Sequence, residues 1–169
     1  MKNETNTETE RKFLIKYPSK TLLEAIPEED ASKITQTYLI SDEKKTARVR
    51  KRVYSDRVCY TKTEKVRIND LSALETESSL TEAEYESELE HADTQRHPII
   101  KTRLLLRNHG HVFEIDLYPF WKKQAVMEVE LGEEDESFEI PEGIEILREV
   151  TSDKRYKNAA LARSVPKED

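Results

Sequence analysis

Apolar residues alternate with polar ones through most of this chain, and a few short stretches switch to helical spacing. Alternation predicts strands over residues 8–15, 33–40, 45–54, 58–66, 74–80, 99–108, 111–118 and 124–131. Ser55-Asp56 and His109-Gly110 read as hairpin turns, and residues 68–72 as a connection. A short helix is predicted over 18–25, with Pro18 or Ser19 near its start and Leu22, Leu23 and Ile26 as its buried face. Thr81-Glu82-Ala83-Glu84 has the form of a capping box, and Tyr85, Leu89 and Ala92 follow at helical spacing to an end near Asp93. Tyr156, Ala159, Ala160 and Arg163 predict a last helix over 152–162. Eight strands with a few helices make an α+β chain, mainly antiparallel β. Closing the sheet into a barrel is the natural arrangement, because closure removes exposed edges.

The polar half of the alternation is not ordinary surface. Charges recur at i and i+2: Glu8, Glu10 and Lys12; Arg48, Arg50 and Arg52; Glu75 and Glu77; Lys101 and Arg103; Glu114 and Asp116; Glu128 and Glu130. Lys62 stands alone in its strand. Residues i and i+2 of a strand share a face, so each set projects into one space. The residues between them, Phe113, Ile115 and Leu117 or Met127, Val129 and Leu131, require a packed face. For one strand, a charged face in water is the simpler reading. Across the set, Glu-rich and Arg/Lys-rich strands segregate, as they would in a barrel with one acidic and one basic wall. Clustered carboxylates invite a cation, and oxygen-only ligands suit Mg²⁺ or Mn²⁺. Clustered Arg and Lys suit phosphate oxygens. A polyphosphate with its metal would bridge the two walls.

Composition sharpens this picture. Of 169 residues, 36% are hydrophobic and 37% charged, which is polar but consistent with one domain over 1–169. The net charge of −7 argues against long-range attraction to nucleic acid or an anionic membrane. No stretch approaches the roughly 18 apolar residues of a membrane span. Residues 1–10 lack the apolar segment of a secretory signal, so a cytoplasmic location is expected. Cys59 has no partner for a disulfide and reads as a core residue. His91, His97, His109 and His111 lack metal-site spacing. The only glycines are Gly110, Gly132 and Gly143, so there is no Gly-rich phosphate loop. Any phosphate must be held by side chains or metal.

Glu8-Thr9-Glu10-Arg11-Lys12 resembles the ExExK signature of the CYTH family, the triphosphate tunnel metalloenzymes. The likeness continues in order through Gln36-Thr37-Tyr38-Leu39, Arg48-Val49-Arg50, Lys62, Glu75-Thr76-Glu77, Lys101-Thr102-Arg103, Glu114-Ile115-Asp116, Glu128-Val129-Glu130 and the ending from Glu149 to Ala162. It implies an eight-stranded antiparallel tunnel open at both ends. It also implies Glu8, Glu10, Glu128 and Glu130 as metal ligands, with Glu75, Glu77, Glu114 and Asp116 as inner carboxylates that ligate metal or orient its water. Lys12, Arg48, Arg50, Lys62, Lys101 and Arg103 would grip the phosphates. Two departures stand out. Thr9 takes an often apolar position, expected to point out of the tunnel, and Tyr118-Pro119-Phe120-Trp121 replaces a Gly-containing turn and could reshape one mouth.

The expected reaction is in-line attack of water on a terminal phosphorus, assisted by Tyr38 and by Lys101 if basic neighbours depress its pKa. Inorganic triphosphate is the favoured substrate, since little of the chain is left over to build a pocket for a base or thiazole. A class IV-type adenylate cyclase and a nucleoside or thiamine triphosphatase are the enzymatic alternatives. A module that binds polyphosphate or nucleotide without turnover is the non-enzymatic one. A homodimer is left open.

Overall fold

The alternating segments pair into one wall that closes on itself. The computed structural model describes residues 3–42 and 44–169. Its strands are β1 (Asn3–Lys16), β2 (Ala31–Tyr38), β3 (Lys45–Val53), β4 (Val58–Arg67), β5 (Ser72–Leu80), β6 (Ile99–Asn108), β7 (His111–Leu117), β8 (Gln124–Glu130) and β9 (Ile146–Glu149). The order β5-β4-β3-β2-β6-β7-β8-β1 is antiparallel throughout, and β1 returns to pair with β5, closing a barrel of eight strands. Closure depends on the length of β1. Its residues Asn3 to Thr9 pair with β5, and Glu10 to Lys16 pair with β8. Beyond Thr9 the edge that β5 leaves is taken by β9 at Phe13, Leu14 and Ile15. The sequence reading did not include β9, which is only four residues long. The β6–β7 hairpin turns through His109 (φ 46) and Gly110 (φ 80), the two positive-φ residues of a I′-type turn.

The apolar residues between the charges face outward, and the core lies outside the barrel wall. Phe13, Ile15, Phe113, Ile115, Met127 and Val129 are buried against Leu23 and Ile26 and against Phe138, Ile144 and Ile146. Leu23 belongs to α1 (Lys20–Ala25), whose N-cap Ser19 accepts from the Leu22 amide. On the far side Ala47 and Val49 pack under Tyr85 of α2 (Glu82–Glu88), where Thr81 and Glu84 form the predicted capping box. Cys59, read as core, is half-buried in β4. Among the described residues no helix is long and apolar enough to cross a membrane.

Two expectations are corrected at the barrel's end. The inward positions Leu14, Ile99, Tyr118 and Val126 belong to a buried apolar cluster with Trp121, Tyr156, Leu161 and Ala162. That cluster fills the interior there, so the barrel is not a tunnel open at both ends. Trp121 is a packing residue whose Nε1 donates to the Pro166 carbonyl at 3.1 Å. The segment 152–162 is also not one helix. It makes a 3₁₀ turn at Lys154–Tyr156, an extended Lys157, and one α-turn, α3 (Asn158–Leu161). A continuous helix would direct the Tyr156 carbonyl to the Ala160 amide, but here it accepts from Lys12 Nζ at 3.3 Å, and Ala160 N donates to Lys157 O.

Candidate active site

Directly opposed residues in an antiparallel ladder project to the same side, so the register carries the inward positions from strand to strand. Tyr38 faces Arg48 and Gln36 faces Arg50 across β2–β3; Arg48 faces Thr63 across β3–β4; Lys65 faces Glu75 across β4–β5. Glu10 faces Glu130, Lys12 faces Glu128, Glu114 faces Glu128, and Arg103 faces Asp116. Four neighbouring strands, β7, β8, β1 and β5, thus carry the inward carboxylates. The opposite arc carries Arg48, Arg50 and Arg52 on β3 and Lys101 and Arg103 on β6, with β2 between them. Thr9 lies on the other face of β1 and is hydrogen-bonded to Ser72 at 2.8 Å.

A cavity of about 640 Å³ runs between the arcs. Of the predicted residues, Glu8, Glu10, Lys12, Tyr38, Arg48, Arg50, Arg103, Glu114 and Glu128 line it. The others sit elsewhere. Lys101 and Asp116 are fully buried beneath the lining, Lys101 Nζ lying 2.8 Å from Asp116 Oδ2. Arg103 donates to both Asp116 oxygens, at 2.8 Å each, and also contacts Glu114. Asp116 is therefore spent on two cations, where a metal-ligating or water-orienting carboxylate was expected. Glu75 faces inward beside Lys65, while Glu77 and Glu130 share the inward face but are exposed. Lys62 is not in the tunnel: it opposes the outward, buried Val49, and its Nζ bonds Glu88 of α2 at 3.1 and 3.2 Å. The inward lysine of β4 is Lys65, which the sequence reading missed. Counting one alternate position on from Thr63, the partner of Arg48, identifies it. Taking the nearest lysine to the motif does not.

The acidic arc holds its charge in shared pairs. Burial, then Glu128 and Glu8, push the Glu10 carboxyl well above its usual range. Burial opposes ionisation of Glu128 as well, yet Lys12 and a hydrogen bond from Glu10 hold it well below. Burial and a hydrogen bond with Glu8 raise Glu75 to about 7. Glu8 resists burial through Glu75 and Lys65 and falls to about 2. Lys65 Nζ lies 3.0 Å from Glu8 Oε2 and 3.4 Å from Glu75 Oε2, off-axis for a hydrogen bond, so both buried oxygens lack a hydrogen-bond partner. Clustered carboxylates that outnumber their lysines, two of them with a buried oxygen lacking a hydrogen-bond partner, are a donor set fitted to a hard divalent cation. Among the described residues, no three His, Cys, Asp or Glu side chains converge closely enough to hold an ion as they stand.

The basic arc is divided differently. Lys12 pairs with Glu128 at 3.1 Å, and Arg103 with Asp116. Among the described residues, Arg48, Arg50 and Arg52 form no ion pair. Arg52 Nε donates to the neutral Ser32 Oγ at 2.8 Å, and Arg48 Nε has no hydrogen-bond partner. Burial, then Arg48 and Arg103, lower Arg50 to about 9. Burial also lowers Lys101 to about 7, against Asp116 and with Arg103 and Arg50.

The solved structure of the inorganic triphosphatase NE1496 matches 95% of this chain and 97% of its own, with 30% identity and a TM-score of 0.57. A candidate adenylate cyclase, bh2851 of Bacillus halodurans, matches 77% of this chain and 83% of its own at 18% identity and a TM-score of 0.57. PH1819 of Pyrococcus horikoshii OT3 matches 73% and 80% at 16% identity and a TM-score of 0.53. The last two share the fold. No protein-family model and no curated protein matches the chain.

Proposed function

This chain belongs to the CYTH family of triphosphate tunnel metalloenzymes, and from that premise we propose that it hydrolyses a triphosphate, inorganic tripolyphosphate above all, with a divalent metal. The observation that carries the proposal is one cavity in which the unpaired Arg48 and Arg50 face Glu8, Glu10 and Glu128. A full-length relative at 30% identity is an inorganic triphosphatase. The exposed rim supports an inorganic substrate: it is formed by Lys44, Arg67 and Lys154, and Tyr38 is the one aromatic residue in the described lining.

Glu8, Glu10 and Glu128 would hold Mg²⁺ or Mn²⁺, with Glu75 and Glu114 beside them and Glu130 at the margin; such an ion supplies Lewis-acid neutralisation of phosphate oxygens. Arg48 and Arg50 bind the phosphates and stabilise charge as the terminal bridging bond breaks. Lys65, on β4 between the arcs, and Lys12, on β1 within the acidic arc, can turn from carboxylate to phosphate. Tyr38, which lines the same cavity, would orient the attacking water. Lys101, expected in that role, lies behind Arg103 on Asp116, and acts by holding that pair. The test is a phosphate-release panel of tripolyphosphate, pyrophosphate, ATP and thiamine triphosphate, each with Mg²⁺, Mn²⁺ or excess chelator. Tripolyphosphate should be cleaved fastest and pyrophosphate far more slowly, because a two-phosphate chain leaves part of the basic arc unused. Full hydrolysis in chelator, or equal rates on tripolyphosphate and pyrophosphate, would refute the proposal. Tight binding without turnover would make the protein a binding module.

A further inference from the structure

Strand β2 separates the two basic strands and carries no inward charge. Its inward residues are Ser32, Ile34, Gln36 and Tyr38, and Gln36 is fully buried. The Gln36 carboxamide spans two candidate substrate-binding groups. Its Oε1 accepts from Arg50 Nε at 3.1 Å and Nη2 at 2.7 Å, and its Nε2 donates to the Tyr38 hydroxyl oxygen at 2.7 Å. The amide orientation follows from chemistry: a guanidinium has only donors, so the oxygen must face Arg50.

We propose that Gln36 is a positioning residue that orients Arg50 and Tyr38 for an anionic substrate while leaving the charge of Arg50 unspent. The inference rests on the triphosphatase proposal for the identity of the substrate. A single oxygen occupies the Nε–Nη2 edge of Arg50, so the Nη1 side stays free for phosphate oxygens. The amide donates to Tyr38, so the phenol's own proton must point elsewhere. Neutrality is the key property. Lys12, Lys65 and Arg103 are all held by carboxylates, and a substrate must compete with those. Arg50 is held by an amide, so its position is set at no cost in charge. Burial beside Arg48 and Arg103 already lowers the Arg50 pKa, which fits a cation kept without a counter-ion.

The test uses Gln36→Met, which keeps the length of the side chain without the amide, and Gln36→Glu, which keeps the acceptor but adds a charge. Each is made alone and with Arg50→Ala. Two readouts are taken: phosphate release from tripolyphosphate with Mn²⁺, and calorimetric binding of tripolyphosphate in excess chelator. Gln36→Met should lower kcat roughly a hundredfold, the scale of a misplaced contact, and should lower it by clearly less in the Arg50→Ala background, where only its effect through Tyr38 remains. Gln36→Glu should weaken chelator-state binding more than Gln36→Met does, because its carboxylate neutralises Arg50 in place of substrate. Effects of Gln36→Met and Arg50→Ala that multiply independently would overturn the inference, as would tighter binding by Gln36→Glu. If the wild type releases no phosphate, the function proposal fails, and the binding cycle still decides the role of Gln36. If Gln36→Met does not fold, Gln36→Asn withdraws the same amide by one methylene, and its binding energy must likewise be non-additive with Arg50→Ala.

Discussion

Lys62 and Lys65 lie on the same strand and face opposite sides of the barrel wall. Phase along the strand decides which of them can meet a phosphate, and chemical type does not. Lys62→Ala removes a half-exposed pair with Glu88 and should cost less than about 1 kcal/mol of stability. It should leave KM and kcat for tripolyphosphate within about twofold, whereas Arg50→Ala should slow turnover by roughly 10²–10³. Arg50→Ala should not lower the melting temperature sharply, because it relieves repulsion with Arg48 and Arg103. Kinetics paired with thermal melting check both. A catalytic loss in Lys62→Ala equal to that of Arg50→Ala would mean that β4 faces the other way.

At the scale of elements, the seam between β6 and β7 is an electrostatic one. Asp116, Lys101 and Arg103 are almost wholly buried. The i, i+2 pattern gave Asp116 the same sign and face as Glu114; the hairpin at His109-Gly110 already set it beside the basic strand, but that signal was not carried through to a pairing with Lys101 and Arg103. Its two oxygens are taken up by Lys101 and Arg103 across the seam. Asp116→Ala would strand two cations without a counter-charge, a loss of about 3–5 kcal/mol. The melting temperature should then drop by roughly 10 °C, given about 2–4 °C per kcal/mol for a domain of this size. An unchanged melting curve would show that the seam is held by its backbone ladder alone. The broken C-terminal segment teaches the same lesson. Its helical spacing is real, but the need of Lys12 Nζ for the Tyr156 carbonyl is a tertiary demand.

The whole molecule carries two proton-sharing carboxyl pairs in its metal-free state, and that makes its stability depend on pH. Glu75 is raised from 4.5 to about 7. Between those values the folded chain holds a proton that the unfolded chain has released. Its contribution is full below pH 4.5 and is lost as pH rises through about 7. Glu8 acts in the opposite sense in a lower window, between 4.5 and about 2. The metal-free protein should therefore lose melting temperature between about pH 5 and 7, and Glu75→Gln should flatten that slope. Addition of Mn²⁺ near pH 6 should release protons, seen as a buffer-dependent binding enthalpy. A slope unaffected by Glu75→Gln would show that Glu75 does not hold the proton.

The sequence by itself determined the strands that make the barrel, which residues face in and which out within most of them, and the sign of the charge on each inward face. These properties are local: side chains alternate along a strand whatever it pairs with. The family likeness was legible for the same reason, since its motifs are short alternating runs such as Glu8-Thr9-Glu10. Only the tertiary structure decided which strands are neighbours beyond the two predicted hairpins, and which charges are spent and which are free. It set the phase of β4 across the loop from β3, which turned Lys62 out and Lys65 in. It consumed Asp116 at a seam, placed neutral Gln36 against Arg50, and filled one end of the barrel with Tyr118, Tyr156 and Leu161. Each of these depends on how one strand sits against its neighbour, and a hydrogen-bonded ladder settles register only when both of its strands are in place.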